Sequence, residues 1–133
     1  MTRSCYTVHV VLPGADAERR AALATLEAML AGIPETGCAE VWVMHGRFPA
    51  LCALLNGDRG WLTCLRFEGD AGLSSRNPHY SGPSDAEIEF MLSNGQVDRY
   101  PAEWTYSRPE ILAAVRSFAE TPTLPAAVSW SND

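Results

Sequence analysis

The chain contains no lysine, so its ten basic residues are all arginines, and sixteen acids leave a net charge of −6. A surface that binds DNA or RNA needs clustered basic residues, and this balance argues against one. No apolar run approaches the roughly 18 residues that a membrane-spanning helix needs. The N-terminus lacks the basic start and apolar block of a signal peptide. We therefore expect a cytoplasmic protein that contacts neither nucleic acid nor membrane directly.

Motifs for cofactor, metal or nucleophile chemistry are also missing. The four cysteines form no CxxC pair, and the three histidines form no HxH or HxxxH pair. No P-loop, GxGxxG fingerprint or GxSxG elbow occurs. We predict reduced, mostly buried thiols, no cofactor, no metal and no catalytic residue. A Cys–His nucleophile pair stays open as an alternative, which a thiol of low pKa would favour.

The length of 133 residues and the hydrophobic fraction of 47% suit one globular domain over 1–133. A β-rich run over 6–12 predicts a first strand. Asp16 is the predicted N-cap of a following helix, which Gly32 ends. The buried stripe of that helix recurs at helical spacing and comprises Leu23, Leu26, Leu30 and Ile33.

The middle of the chain predicts three strands and a loop. A strand over 40–45 is followed by a hairpin with arms at 51–55 and 61–67, joined by the turn-forming dipeptide Asn56-Gly57. The first arm is rich in Ala and Leu, so a short helix is an alternative for it. Residues 69–83 have no apolar period, which predicts a long surface loop that is either functional or simply mobile.

The last third predicts two strands, a helix and a final strand. The strands cover 86–92 and 97–104, and Pro101 places the second at a sheet edge. Ser107 and Glu110 predict a capping box at the start of the helix. A last strand is predicted over 127–130. This order of elements predicts an α+β fold, with a mainly antiparallel sheet and two helices packed on one face.

Acidic residues alternate in the strand predicted over 86–92. Asp85, Glu87 and Glu89 would share its outer face while the intervening apolar side chains point inward. With Glu68 and Asp70 they make five acids against one arginine up to residue 89. One interpretation is a solvated strand face, the usual pattern of a one-sided sheet. The other is an acidic patch that docks on a basic protein surface.

Two aromatic residues join this candidate interface. Trp104 lies close to Pro101, just before the second helix, and could be an exposed anchor because Trp and Tyr favour binding hot spots. Burial in the core is the alternative. Tyr80 lies in the predicted loop. Trp42 and Trp61 lie within strand patterns and are expected in the core.

Five segments of the second half match a known pattern: 71–75 (AGLSS), 80–82 (YSG), 85–89 (DAEIE), 113–121 (AAVRSFAET) and 124–130 (LPAAVSW). Together they resemble the immunity proteins of bacterial polymorphic-toxin systems, specifically Imm family one. Members of that family tend to end in a helix, a Pro-containing turn and a Val-x-Trp strand. The resemblance covers about residues 60–130.

The resemblance implies an antitoxin that neutralises a cognate toxin domain by blocking its active site or substrate groove. Family members are often encoded beside deaminase-fold toxins that act on nucleic acid. The family supplies no catalytic or interface residues, so the candidate interface rests on charge and aromatic character alone: Glu68, Asp70, Tyr80, Asp85, Glu87, Glu89 and Trp104. One alternative is a small adaptor or assembly subunit with no toxin partner. A less favoured alternative is a Cys/His enzyme.

Overall fold

A computed structural model describes residues 5–132. The strands are β1 (Cys5–Leu12), β2 (Cys38–His45), β3 (Ala50–Asn56), β4 (Arg59–Leu65), β5 (Leu73–Arg76), β6 (Glu87–Met91), β7 (Val97–Pro101), β8 (Tyr106–Ser107) and β9 (Ser129–Asn132). The helices are α1 (Asp16–Ala31) and α2 (Arg108–Glu120). The first four residues, on which the signal-peptide prediction depends, lie outside this range.

Most strands form one sheet in the order β1-β2-β3-β4-β5-β9, with β8 also paired to β4. β1 and β2 are parallel because α1 crosses over between them, and the other pairs are antiparallel. β6 and β7 form a separate antiparallel hairpin. The predicted α+β class with a mainly antiparallel sheet is therefore confirmed.

Both helices pack on the same face of the sheet, as predicted. Alternate side chains of β1 to β4 point to this face, and the two helices contribute the facing half of the same apolar cluster. Burial of each such aliphatic or aromatic side chain stabilises the fold by about 1.5–3 kcal/mol. The helical members of the cluster include Leu26, Leu30, Ile111, Val115 and Phe118.

The β6–β7 hairpin covers part of the opposite face and forms a third layer that the sequence did not predict. Phe90 is completely buried there, beside Cys52 and Leu54. Trp61 and Tyr100 stack with ring centroids 4.0 Å apart and planes 7° from parallel. The hairpin is thus held to the sheet by a second, aromatic-rich core.

The two helix starts differ in their capping. The predicted cap at Asp16 is wrong: Ala15 is the N-cap, no side chain caps the helix, and Asp16 is its first residue. An acid there still interacts favourably with the helix dipole. The predicted capping box of α2 is confirmed, because Ser107 Oγ accepts the Glu110 N–H and Glu110 Oε1 accepts the Ser107 N–H.

The prediction of an unbroken loop over 69–83 is wrong, because Leu73–Arg76 forms β5 between β4 and β9. Ser75 is completely buried in this strand. Its hydroxyl accepts the Leu62 N–H at 3.1 Å and donates to the Trp104 carbonyl at 2.9 Å. A four-residue strand with serines in its interior has no apolar period, so local patterning could not identify it.

The 50–65 hairpin is confirmed, and its first arm is a strand and not a helix. Asn56 is the last residue of β3, so the two-residue loop is Gly57-Asp58. Gly57 has a φ of +60°, and no described residue other than glycine has a positive φ. A positive φ at the first loop position alone is typical of a type II′ turn.

Candidate protein-binding surface

The acid excess of the chain is concentrated in the layer that contains the β6–β7 hairpin. Residues 77–104 include five acids against one arginine, a net −4 out of −6. Glu87 and Glu89 are exposed on the outer face of β6, while Ile88 and Phe90 point toward the sheet. This alternation is the one predicted.

Asp85 lies in a turn before β6 and is exposed, so it does not share the strand face as predicted. Glu89 is paired, because its Oε1 accepts from Arg99 Nε and Nη2 at 2.8 Å. Between residues 5 and 132, no side chain or backbone group pairs with the carboxylates of Asp85 and Glu87. These two charges are therefore free to meet a cationic partner.

The structure separates Glu68 and Asp70 from the other predicted acids. The hairpin is anchored near one end of β3, where Asn56 Nδ2 donates to the Glu89 carbonyl at 2.8 Å. Glu68 and Asp70 lie in the β4–β5 loop at the other end of that strand. The seven residues of β3 span about 20 Å at 3.3 Å per residue. The predicted acidic patch is thus two separate groups.

Asp70 is occupied by its own loop. Its carboxylate accepts Arg66 Nε at 2.7 Å and Nη2 at 2.9 Å, together with the Arg66 and Gly72 N–H groups. The side chain is only 4% exposed. The hydrogen bonds from Arg66 hold the pKa of this carboxyl well below its usual range. Glu68, by contrast, is 78% exposed and lies 3.6 Å from an equally exposed Arg47.

Tyr80 lies beside the hairpin in a pocket of about 350 Å³. Its hydroxyl donates to the Pro83 carbonyl at 3.2 Å, and Arg59 Cζ lies 5.9 Å from its ring centroid. The pocket is also lined by Ile88, the residue between the two β6 carboxylates. Tyr80 therefore lies close to β6, on the side toward which Ile88 points.

Trp104 is half-buried, between the two outcomes that the sequence allowed. One side of it packs toward Tyr100, with centroids 6.2 Å apart. Arg76 stacks on its ring, with Cζ 3.5 Å from the centroid. A shallow cavity of about 280 Å³ lies beside this pair. We call Asp85, Glu87 and Glu89, together with Tyr80 and Trp104, the hairpin surface.

An open apolar groove, which we did not predict, lies on the part of the hairpin-side sheet face that the hairpin leaves uncovered. Its volume is about 610 Å³, and its lining includes Val11, Met44 and Phe48. Val11 is 46% exposed. One sequence feature could have indicated the groove. Val11 is apolar, yet it falls at an outward-facing position of β1, where a one-sided sheet normally carries polar residues.

Three of the four thiols, those of Cys5, Cys52 and Cys64, do not resemble activated nucleophiles. Burial raises the pKa of Cys52 well above its usual value and that of Cys64 to about 11. Partial burial, Glu40 and Cys38 raise the pKa of Cys5. A catalytic cysteine needs the opposite shift. Within residues 5–132, no group of three or more His, Cys, Asp or Glu side chains is arranged to hold a metal ion.

No protein-family model and no curated protein sequence matches this chain. Across the part of the chain that the structure describes, neither helix has the length and apolar character needed to cross a bilayer.

Proposed function

We propose that this chain is a cytoplasmic immunity protein that binds and neutralises a cognate bacterial toxin domain. The hairpin surface is the proposed contact. The single observation that carries this proposal is the net −4 of residues 77–104, with the Asp85 and Glu87 carboxylates exposed and unpaired. The resemblance of residues 60–130 to Imm family one supplies the kind of partner.

Electrostatic complementarity favours a basic surface on that partner. Acids on the exposed face of the hairpin accelerate encounter with a positively charged groove and disfavour acidic competitors. A toxin that acts on nucleic acid, such as a deaminase, needs a basic groove for its substrate. An acidic hairpin seated in that groove would block the substrate.

Trp104 and Tyr80 would supply the apolar part of the contact. Aromatic side chains next to charged ones are typical of binding hot spots, because they bury a large area with few rotatable bonds. Arg76 lies against Trp104, and this limits the motion of both groups before binding. A preordered surface loses less entropy on association.

The first experiment is a pull-down of the tagged protein with the product of the adjacent gene, followed by an affinity measurement. We expect one-to-one binding to a small basic domain with a Kd on the order of nanomolar or tighter, about −12 kcal/mol. The proposal would be contradicted if none of the proteins encoded by neighbouring genes bound. Self-association would then favour the adaptor alternative.

A charge reversal locates the contact. Asp85→Lys with Glu87→Lys should raise the Kd by at least about tenfold, mainly through slower association, because both carboxylates would become like charges facing a basic surface. Glu18→Lys with Glu120→Lys makes the same change in net charge at exposed sites of the two helices, on the other side of the sheet, and it should leave the Kd nearly unchanged. Equal effects of the two pairs would move the contact away from the hairpin.

A further inference from the structure

Two of the four free cysteines are direct neighbours on adjacent strands. Cys5 begins β1 and Cys38 begins β2, and the two residues are partners in the parallel ladder. Their side chains share the hairpin side of the sheet, because they are in phase with Trp42 of the second core cluster. Paired residues on neighbouring strands lie about 4.8 Å apart, which is within the Cα separation that a disulfide needs.

The environment separates this pair from the other two thiols. Cys5 and Cys38 are partly exposed, whereas Cys52 and Cys64 are buried. Small reagents can therefore reach the first pair without unfolding of the core. Cys64 is also excluded by geometry, since it belongs to the cluster on the helical face of the sheet.

The pair also lies where the hairpin is attached. Cys38 Sγ accepts the N–H of Met91 at 3.4 Å, at the end of β6. Two residues further along β2, Glu40 Oε1 accepts the N–H of Ser93 at 2.9 Å. Cys38 is therefore in direct contact with the strand that carries Glu87 and Glu89.

We propose that Cys5 and Cys38 form a redox-active dithiol that closes to an intramolecular disulfide by exchange with a small-molecule disulfide such as oxidised glutathione. The Cys38 thiolate attacks one glutathione sulfur, forms a mixed disulfide and releases one glutathione thiolate. The Cys5 thiolate then attacks Cys38 Sγ and releases the second. Both cysteines lose a proton, and two electrons pass to the glutathione disulfide, which is reduced to two thiols.

Closure alters the attachment of the hairpin. To reach Cys5 on β1, Cys38 Sγ turns away from Met91, whose N–H then loses its acceptor. Burial raises the pKa of the Cys5 thiol and so lowers its thiolate fraction near neutral pH, and we therefore assign the first attack to Cys38. This inference goes beyond the proposed function and does not depend on it, since it concerns the free protein.

The test uses the full chain in glutathione buffers of increasing oxidised fraction, with alkylation of the remaining thiols and peptide mapping by mass spectrometry. We expect the count of free thiols to fall from four to two, with the peptides of Cys5 and Cys38 linked within one chain. Cys52→Ala should close in the same way. Cys5→Ser and Cys38→Ser should yield only glutathione adducts.

Four free thiols in excess oxidised glutathione would overturn the proposal, as would a bridge to Cys52 or Cys64 or a bridge between two chains. Amide hydrogen exchange of the oxidised protein tests the coupling. Exchange at Met91 should become faster in the oxidised form, and an unchanged rate would overturn the link to the hairpin.

Discussion

Asp70 accepts two side-chain hydrogen bonds from Arg66, at 2.7 and 2.9 Å, and a third from the Arg66 main chain at 2.8 Å. This pair closes the short loop between β4 and β5. A bidentate guanidinium–carboxylate contact has a fixed geometry, and it also satisfies backbone groups at the point where the chain reverses direction. Asp70 therefore orders the β4–β5 loop, although the clustering of acids in the sequence predicted it as part of a binding surface.

The Arg66–Asp70 pair predicts a pH dependence of stability. The pKa of Asp70 is lowered in the folded state, so its contribution is complete above its unfolded-state pKa of about 3.9 and is lost as the pH falls below that value. Asp70→Asn should lower the melting temperature at pH 7, and the difference from wild type should shrink below about pH 4. Thermal melts of both proteins from pH 7 down to pH 3 measure this difference in melting temperature.

The control for Asp70→Asn is Glu68→Gln. It removes an exposed ion pair with Arg47 whose N–O distance is 3.6 Å, and it should change the melting temperature very little at any pH. A deficit of Asp70→Asn that stays constant down to pH 3 would contradict the role assigned to the ion pair.

Gly60 of β4 is packed against Ile111 of α2 with no room for a side chain. A Cβ there would lie 2.6 Å from Ile111 Cγ1 and 2.9 Å from the Leu54 carbonyl oxygen. Gly60→Ala should therefore lower the free energy of unfolding by about 1–3 kcal/mol, as overpacking does. Gly14→Ala is the matched comparison, since a Cβ at Gly14 would meet no atom within 4 Å and the backbone there does not have a positive φ. Denaturant titration should show the larger loss at Gly60, and equal losses would contradict this account.

The capping box of α2 can be measured by itself. Ser107→Ala removes the acceptor of the Glu110 N–H and should cost about 1 kcal/mol of unfolding free energy. Ser117→Ala, at an exposed position within the same helix, should be neutral or slightly stabilising because alanine has the higher helix propensity. A Ser107→Ala variant as stable as the wild type would show that the cap contributes nothing.

Trp104 tests the aromatic part of the proposed contact. Trp104→Ala should weaken toxin binding by about 2 kcal/mol, roughly 30-fold in Kd, if it is a hot spot. Phe67→Ala, a 56% exposed aromatic residue of the β4–β5 loop, should have little effect. Circular dichroism must confirm that both variants are folded at the temperature of measurement. Binding that depends on Phe67 and not on Trp104 would place the contact at the opposite end of the sheet.

Local signals predicted most of the secondary structure correctly. The 50–65 hairpin, the end of α1 at Gly32 and the capping box at Ser107 each depend on a few adjacent residues. β5 was missed because its buried serines are satisfied by distant groups, among them the Leu62 N–H. A pattern of apolar residues cannot reveal a strand whose stability comes from long-range hydrogen bonds.

The candidate site was also predicted in part correctly and in part wrongly. The sequence placed Glu87 and Glu89 on an outer strand face because side chains alternate along any strand. It also grouped them with Glu68 and Asp70, which are near in sequence but separated by the length of β3. Proximity along the chain does not give proximity in space once a sheet intervenes.

Periodicity, turn residues and charge are local properties, so they were enough to predict the α+β class, the main strands, both helices and the acidity of the hairpin. Only the folded chain shows that the hairpin forms a third layer, that Asp70 is bound by its own loop and that Cys5 lies beside Cys38. The first and the third depend on how segments that are distant in the chain pack and pair, whereas the second depends on a contact between Arg66 and Asp70 that their charges alone do not reveal. Where no tight turn joins two strands, their register is set by which side chains must face the core, and neither strand determines it alone.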